Sequence, residues 1–146
     1  MNLQKLLLLG LMAVSAVGCG RADLPRGAIS GTVTVGGQPL QSGRILFLPC
    51  DDNKGPTVTL PIVNGTYTAS KKDGPLIGFQ RVEIEADPNL GFAIDDEEAF
   101  AKRGGAPIPM QWIPPQFNRQ SQLKTEVLAN TKNVFDVPIP AGTVSY

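Results

Sequence analysis

The sequence predicts an all-β domain: a β-sandwich of about seven short strands with one short helix inserted. Three observations carry this. Glycine (16) and proline (13) are abundant and only 18% of the 146 residues are charged, a composition that disfavours long helices and favours short strands joined by tight turns. Apolar and polar residues alternate with a period of two in several short runs, the pattern of strands with one buried face. Pairs that tolerate positive φ, Gly36-Gly37 and Asn64-Gly65, separate those runs and mark tight hairpins.

In chain order, Ile29, Gly31, Val33 and Val35 alternate with Ser30, Thr32 and Thr34 and form the first strand. After Gly36-Gly37, Arg44 to Leu48 reads as a second, more deeply buried strand that Pro49 ends. Asp51 to Pro56 is a polar turn cluster. Thr57 to Val63 and Thr66 to Thr68 flank Asn64-Gly65 as a hairpin. Lys71 to Pro75 is a further turn, and in Phe79 to Ala86 the alternation points Val82 and Ile84 inward. Asp95 to Gly104 breaks the strand rhythm. It offers an N-cap, acids in the first turn, bases in the last and a glycine just past the end, so one short helix is expected there. Pro107, Pro109, Pro114 and Pro115 hold the next stretch extended. Leu123 to Leu128 and Asn133 to Ile139 are the last two strands. The expected core comprises Val33, Val35, Ile45, Phe47, Val82, Ile84, Val127 and Phe135.

The N-terminus has the order of parts of a bacterial secretory signal. Lys5 precedes an apolar run from Leu6 to Val17, and Ala16-Val17-Gly18-Cys19 follows as a lipobox, with small residues suited to a peptidase that cuts before cysteine. The run is shorter than the ~20 residues of a membrane span. Cleavage leaves Cys19 first, its thiol carrying diacylglycerol with palmitate-type acyl chains. The plainer alternatives are an ordinary cleaved signal that a cysteine happens to follow, or an uncleaved anchor. Residues 1–18 are thus expected to be a lipoprotein signal peptide, 19–27 a lipidated tether and 28–146 one folded domain, exported to the cell envelope. Gly20, where aspartate directs retention in some inner membranes, favours the outer membrane.

Lys+Arg and Asp+Glu are both 13, and no basic stripe exists, so nucleic acid is not an expected partner. Histidine is absent, which removes the commonest general base and metal ligand, and with it serine-histidine and cysteine-histidine nucleophile systems. The run Asp95, Asp96, Glu97, Glu98 suits a helix dipole better than a carboxylate pair facing across a cleft. Asp51, Asp52, Asn53 and Asp73 have oxygen ligands for calcium but not the spacing of an EF-hand loop, and turns use the same residues. Cys50 reads as a partly buried apolar cysteine. Neither a catalytic group, a cofactor nor a metal site is expected.

Ile29-Ser30-Gly31-Thr32-Val33, Gly37-Gln38-Pro39-Leu40 and Gly43-Arg44-Ile45-Leu46-Phe47 together resemble the opening of carboxypeptidase-regulatory-like domains, the transthyretin-like (prealbumin-like) sandwiches. Asn64-Gly65-Thr66-Tyr67, Gly78 to Ile84, Ile113 to Asn118 and Asn133-Val134-Phe135 extend the similarity over nearly all of the chain after Cys19. The chain as a whole resembles the small transthyretin-like lipoproteins of planctomycete-type bacteria, with Gln116 and Phe117 standing where those have lysine and tyrosine. The resemblance implies the sandwich and not a function, since the fold serves many.

The expectation is a non-catalytic, lipid-anchored envelope module, held to the membrane by acyl chains on Cys19 and binding or spacing envelope proteins or polysaccharide, with a monomer favoured. The alternatives are an accessory to a polysaccharide-processing or transport system, and a small-ligand carrier in an oligomer. The segment from Phe92 to Phe117 alone interrupts the strand rhythm and is the candidate recognition surface. Trp112, Phe117 and Phe92 are its candidate anchors, with Asp95, Asp96, Glu97 and Glu98 as a negative rim. The competing expectation is that Trp112 and Phe117 close one end of the core.

Overall fold

The computed structural model describes residues 24–88, 95–107 and 110–141; the leader, Cys19, Phe92 and Pro109 lie outside the described residues. Among the described residues are the strands β1 (Ile29–Val35), β2 (Gln38–Pro39), β3 (Ser42–Pro49), β4 (Val58–Val63), β5 (Thr66–Ala69), β6 (Gly78–Ala86), β7 (Lys124–Val127), β8 (Asn133–Val134) and β9 (Val137–Ile139). A helix, α1 (Glu97–Lys102), and a 3-10 turn, Pro115–Phe117, lie between β6 and β7. The fold is all-β. No helix among the described residues is long and apolar enough to cross a membrane.

The strands form one hydrogen-bonded path, β2-β1-β5-β4-β3-β6-β7, with β8 and β9 added in parallel to β1. β1 is paired on both flanks, by β5 and β2 on one side and by β8 and β9 on the other. It therefore carries the ladder across where a pair of separate sheets would break it. The sheet curls over its apolar face, and Asn133 ties its two ends. The Asn133 side chain accepts from Leu128 N (2.8 Å) and donates to Ala28 O (2.8 Å), so the end of β7 meets the start of β1.

Each strand buries the face its alternation marks. Val33, Ile45, Phe47, Val82, Ile84 and Val127 are fully buried, joined by Ile29, Leu60, Ile62, Tyr67, Val137 and Ile139. Each such side chain contributes about 1.5–3 kcal/mol on leaving water. Val35 and Phe135 are only partly buried and pack against the rim of this cluster.

Three expectations need correction. Pro25 to Gly27 are not tether: Ile77 N donates to Pro25 O and Gly27 N to Pro75 O, both at 3.0 Å, so the domain reaches back to Pro25. The Gly36-Gly37 turn is followed at once by a short strand, β2, that pairs with Thr34 and Val35. The last strand is broken in two at Phe135-Asp136. There the Asp136 carboxylate accepts from Thr32 N (2.7 Å) and Thr32 Oγ1 (2.8 Å), taking the place of a backbone acceptor. The Phe135 carbonyl turns over β1 and accepts from Tyr67 Oη at 2.5 Å. Gly31 makes that crossing possible, since a Cβ on it would lie 2.0 Å from Phe135 O.

Strand direction divides the molecule into two poles. One pole holds Leu24 to Ala28 and the turns after β3, β5 and β7. The other holds the turns after β1 and β4, the end of β6 and the returning chain at Gln111. β3, at 8 residues, spans about 25 Å between them.

Candidate functional site

The β6 to β7 connection carries α1. Asp96 caps it, accepting from Ala99 N at 2.9 Å, and Glu97 and Glu98 occupy the first turn. Glu98 pairs with Lys102 at 2.7 Å across one turn. Asp95, Asp96, Glu97 and Glu98 are all exposed, and no residue of the helix is buried. These acids serve the helix and face solvent; no opposed carboxylate pair forms among them.

The returning segment, 110–121, is fastened to the sheet. Gln111 spans the β2–β3 turn, accepting from Gln41 N (2.8 Å) and donating to Pro39 O (3.2 Å). Ile113 and Phe117 pack against the core, with the ring of Pro114 buried between them in sequence. The Pro115–Phe117 turn follows from the paired prolines: Pro114 keeps its extended backbone while Pro115, with its fixed φ, starts the 3-10 turn. Ser121 closes the segment, its hydroxyl donating to Val82 O at 2.5 Å.

Fastening every inward side chain leaves Met110 and Trp112 facing out, 60% and 46% exposed. The two candidate aromatics therefore separate: Phe117 closes the core, and Trp112 does not. Val63, 59% exposed, lies at the same pole, one residue before Asn64, whose amide bonds Gln41 O.

Beside this loop is an open cleft of about 280 Å³ lined by Arg44, Glu85, Ala86, Gln111, Ile113 and Asn118, with Met110 at its edge. Arg44 and Glu85 face one another across β3 and β6 and pair at 3.1 Å, and Arg44 also reaches Asp87 at 3.2 Å. The Asn118 side-chain oxygen is buried and has no hydrogen-bond partner among the described residues. Sequence reasoning did not find Met110, Gln111 or this cleft. Nothing in the linear order brings Arg44 to Glu85; only the strand register does.

The remaining candidates sit at the other pole. Asp51 pairs with Lys124 at 2.8 Å, which holds its carboxyl below and the Lys124 ammonium above their ordinary ranges. Asn53 Nδ2 donates to Ile77 O and Phe79 O, and Asp73 accepts from Ser70. Asp51, Asn53 and Asp73 are thus occupied by the chain itself. No acidic or sulfur side chains among the described residues converge as a metal site. The Cys50 thiol is free; burial, and then the neighbouring Asp51, push it up, away from the reactive thiolate. No family model matches this chain, and no curated protein or solved structure matches it either.

Proposed function

We propose that this chain is a non-catalytic, lipid-anchored envelope module with a transthyretin-like sandwich fold, which captures another envelope component through the loop that carries Trp112. One observation carries the reading: an indole is held out to solvent on a segment pinned by Gln111, Ile113, Phe117 and Ser121. Exposing a tryptophan forgoes the burial that a small domain gains most from, and a rigid aromatic loses little entropy when a partner covers it. The polarity of the fold supports the same reading. The Trp112 loop and the entry of the chain from Cys19 lie at opposite poles, so an anchor on Cys19 leaves the loop pointing away from the membrane.

Trp112 is the sole tryptophan of the sequence, so its fluorescence reports the site without a label. Purified envelope polysaccharide and solubilised envelope protein fractions are each titrated in while acrylamide quenching is followed. The expected result is protection of the indole by one of them, with Trp112→Ala losing capture at a stability change under about 1 kcal/mol, as befits a half-exposed side chain. Binding that leaves the quenching unchanged and survives Trp112→Ala places the site elsewhere.

A further inference from the structure

The pole opposite Trp112 gathers basic side chains around the point where the chain enters. Arg26, Lys71 and Lys72 line one concavity of about 440 Å³ with Leu24 and Pro25. Lys71 Nζ donates to Asn130 Oδ1 at 3.1 Å, which brings the turn carrying Lys132 alongside. Gly55, next to Lys54, lies against the side chains of Leu24 and Leu76. Five basic groups thus surround the entry, four of them exposed lysines. The acids of the same turns offset them only in part. Asp51 is paired with Lys124, while Asp52, Asp73 and Glu126 keep exposed negative charges at this pole, fewer than its five remaining cations. The acids of α1 belong to the connection that leaves β6 at the far pole.

We infer that this basic pole is a docking surface for anionic lipid headgroups of the membrane in which the acyl chains of Cys19 sit. The inference rests on the lipid-anchor reading, and chain length ties the two together. Four residues separate Cys19 from Leu24, so the five Cα steps between them span at most about 18 Å. Leu24 therefore stands within that distance of the lipidated residue, and the lysines beside it face the same surface. Basic residues held so near an anionic surface are attracted within roughly a Debye length, about 8–10 Å at physiological salt. Leu24, 45% exposed at the centre of the ring, supplies an apolar contact where the headgroups begin. Lipid attachment alone leaves the domain free to tumble on its tether. The charged pole fixes it upright, with Trp112 outward.

The test uses the whole protein purified from membranes and reconstituted into vesicles of phosphatidylcholine alone or of phosphatidylcholine with phosphatidylglycerol. Lysines are acetylated with a water-soluble amine reagent and read by mass spectrometry, with Lys102 of α1, outside the basic cluster, as the internal reference. The expected result is roughly fivefold lower labelling of Lys54, Lys71, Lys72 and Lys132 in the anionic vesicles, an effect that 0.5 M salt abolishes and that Lys71→Gln with Lys72→Gln weakens at Lys54 and Lys132. These lysines are exposed, so the variant keeps its fold. Equal labelling in both vesicles overturns the docking surface. The same digest reports separately whether the N-terminal peptide carries acyl chains on Cys19, so failure of the anchor is seen independently of failure of the pole.

Discussion

Tyr67 shows most clearly how one residue is set by several distant ones. Its ring lies in the core, 6.0 Å from that of Phe47, and its hydroxyl reaches over Gly31 to the Phe135 carbonyl. Burial, and secondarily the Asp136 carboxylate, push its phenol well above the ordinary 10.0. The sign follows from which state ionises first. The unfolded chain loses the Tyr67 proton near pH 10 while the folded chain keeps it, so the stability held by Tyr67 is complete below that pH and declines as pH rises above it. Tyr67→Phe is expected to cost about 1–2 kcal/mol at neutral pH, because the Phe135 carbonyl loses its donor. It is also expected to flatten the alkaline decline, measured as urea midpoints from pH 7 to 11. A variant as sensitive to alkali as the wild type would show that Tyr67 does not set this slope.

At the scale of elements, α1 and the loop after it have different kinds of stability. No residue of α1 is fully buried, Ala99 and Phe100 being only partly covered, and its cap, dipole-matched charges and one ion pair act locally, so its contribution to the global fold is small. Asp96→Ala should remove about 1 kcal/mol from the helix alone. Amide exchange across 97–102 should accelerate severalfold while the melting temperature of the domain moves by little more than its error. A large drop in melting temperature would mean that α1 is coupled to the core. The helix was legible in the sequence because capping and dipole signals are local, and the same holds for β1, the Asn64-Gly65 hairpin and the inward faces of β3 and β6. The interruption at Phe135-Asp136 was not legible. It depends on Asp136 meeting Thr32 and on Phe135 crossing Gly31, contacts between residues about a hundred positions apart. The strand propensity of Asn133 to Ile139 contains no trace of them. Trp112 and Phe117 likewise look equivalent in a linear reading. Gln111 decides between them, since its bonds to Pro39 and Gln41 fix which way the loop faces.

For the whole molecule, polarity is the organising property. The strand order delivers the entering chain and a ring of lysines to one end, and the pinned loop with its exposed indole to the other. A membrane anchor turns that polarity into an orientation, and without one the two ends carry no common purpose. That orientation therefore depends first on Cys19. The direct measurement is the mass of the N-terminal peptide of the protein purified from the membranes of a bacterium that makes it. The expected chain begins at Cys19 and carries diacylglycerol on its thiol. A chain that begins at another residue, or whose Cys19 is unmodified, contradicts the anchored orientation.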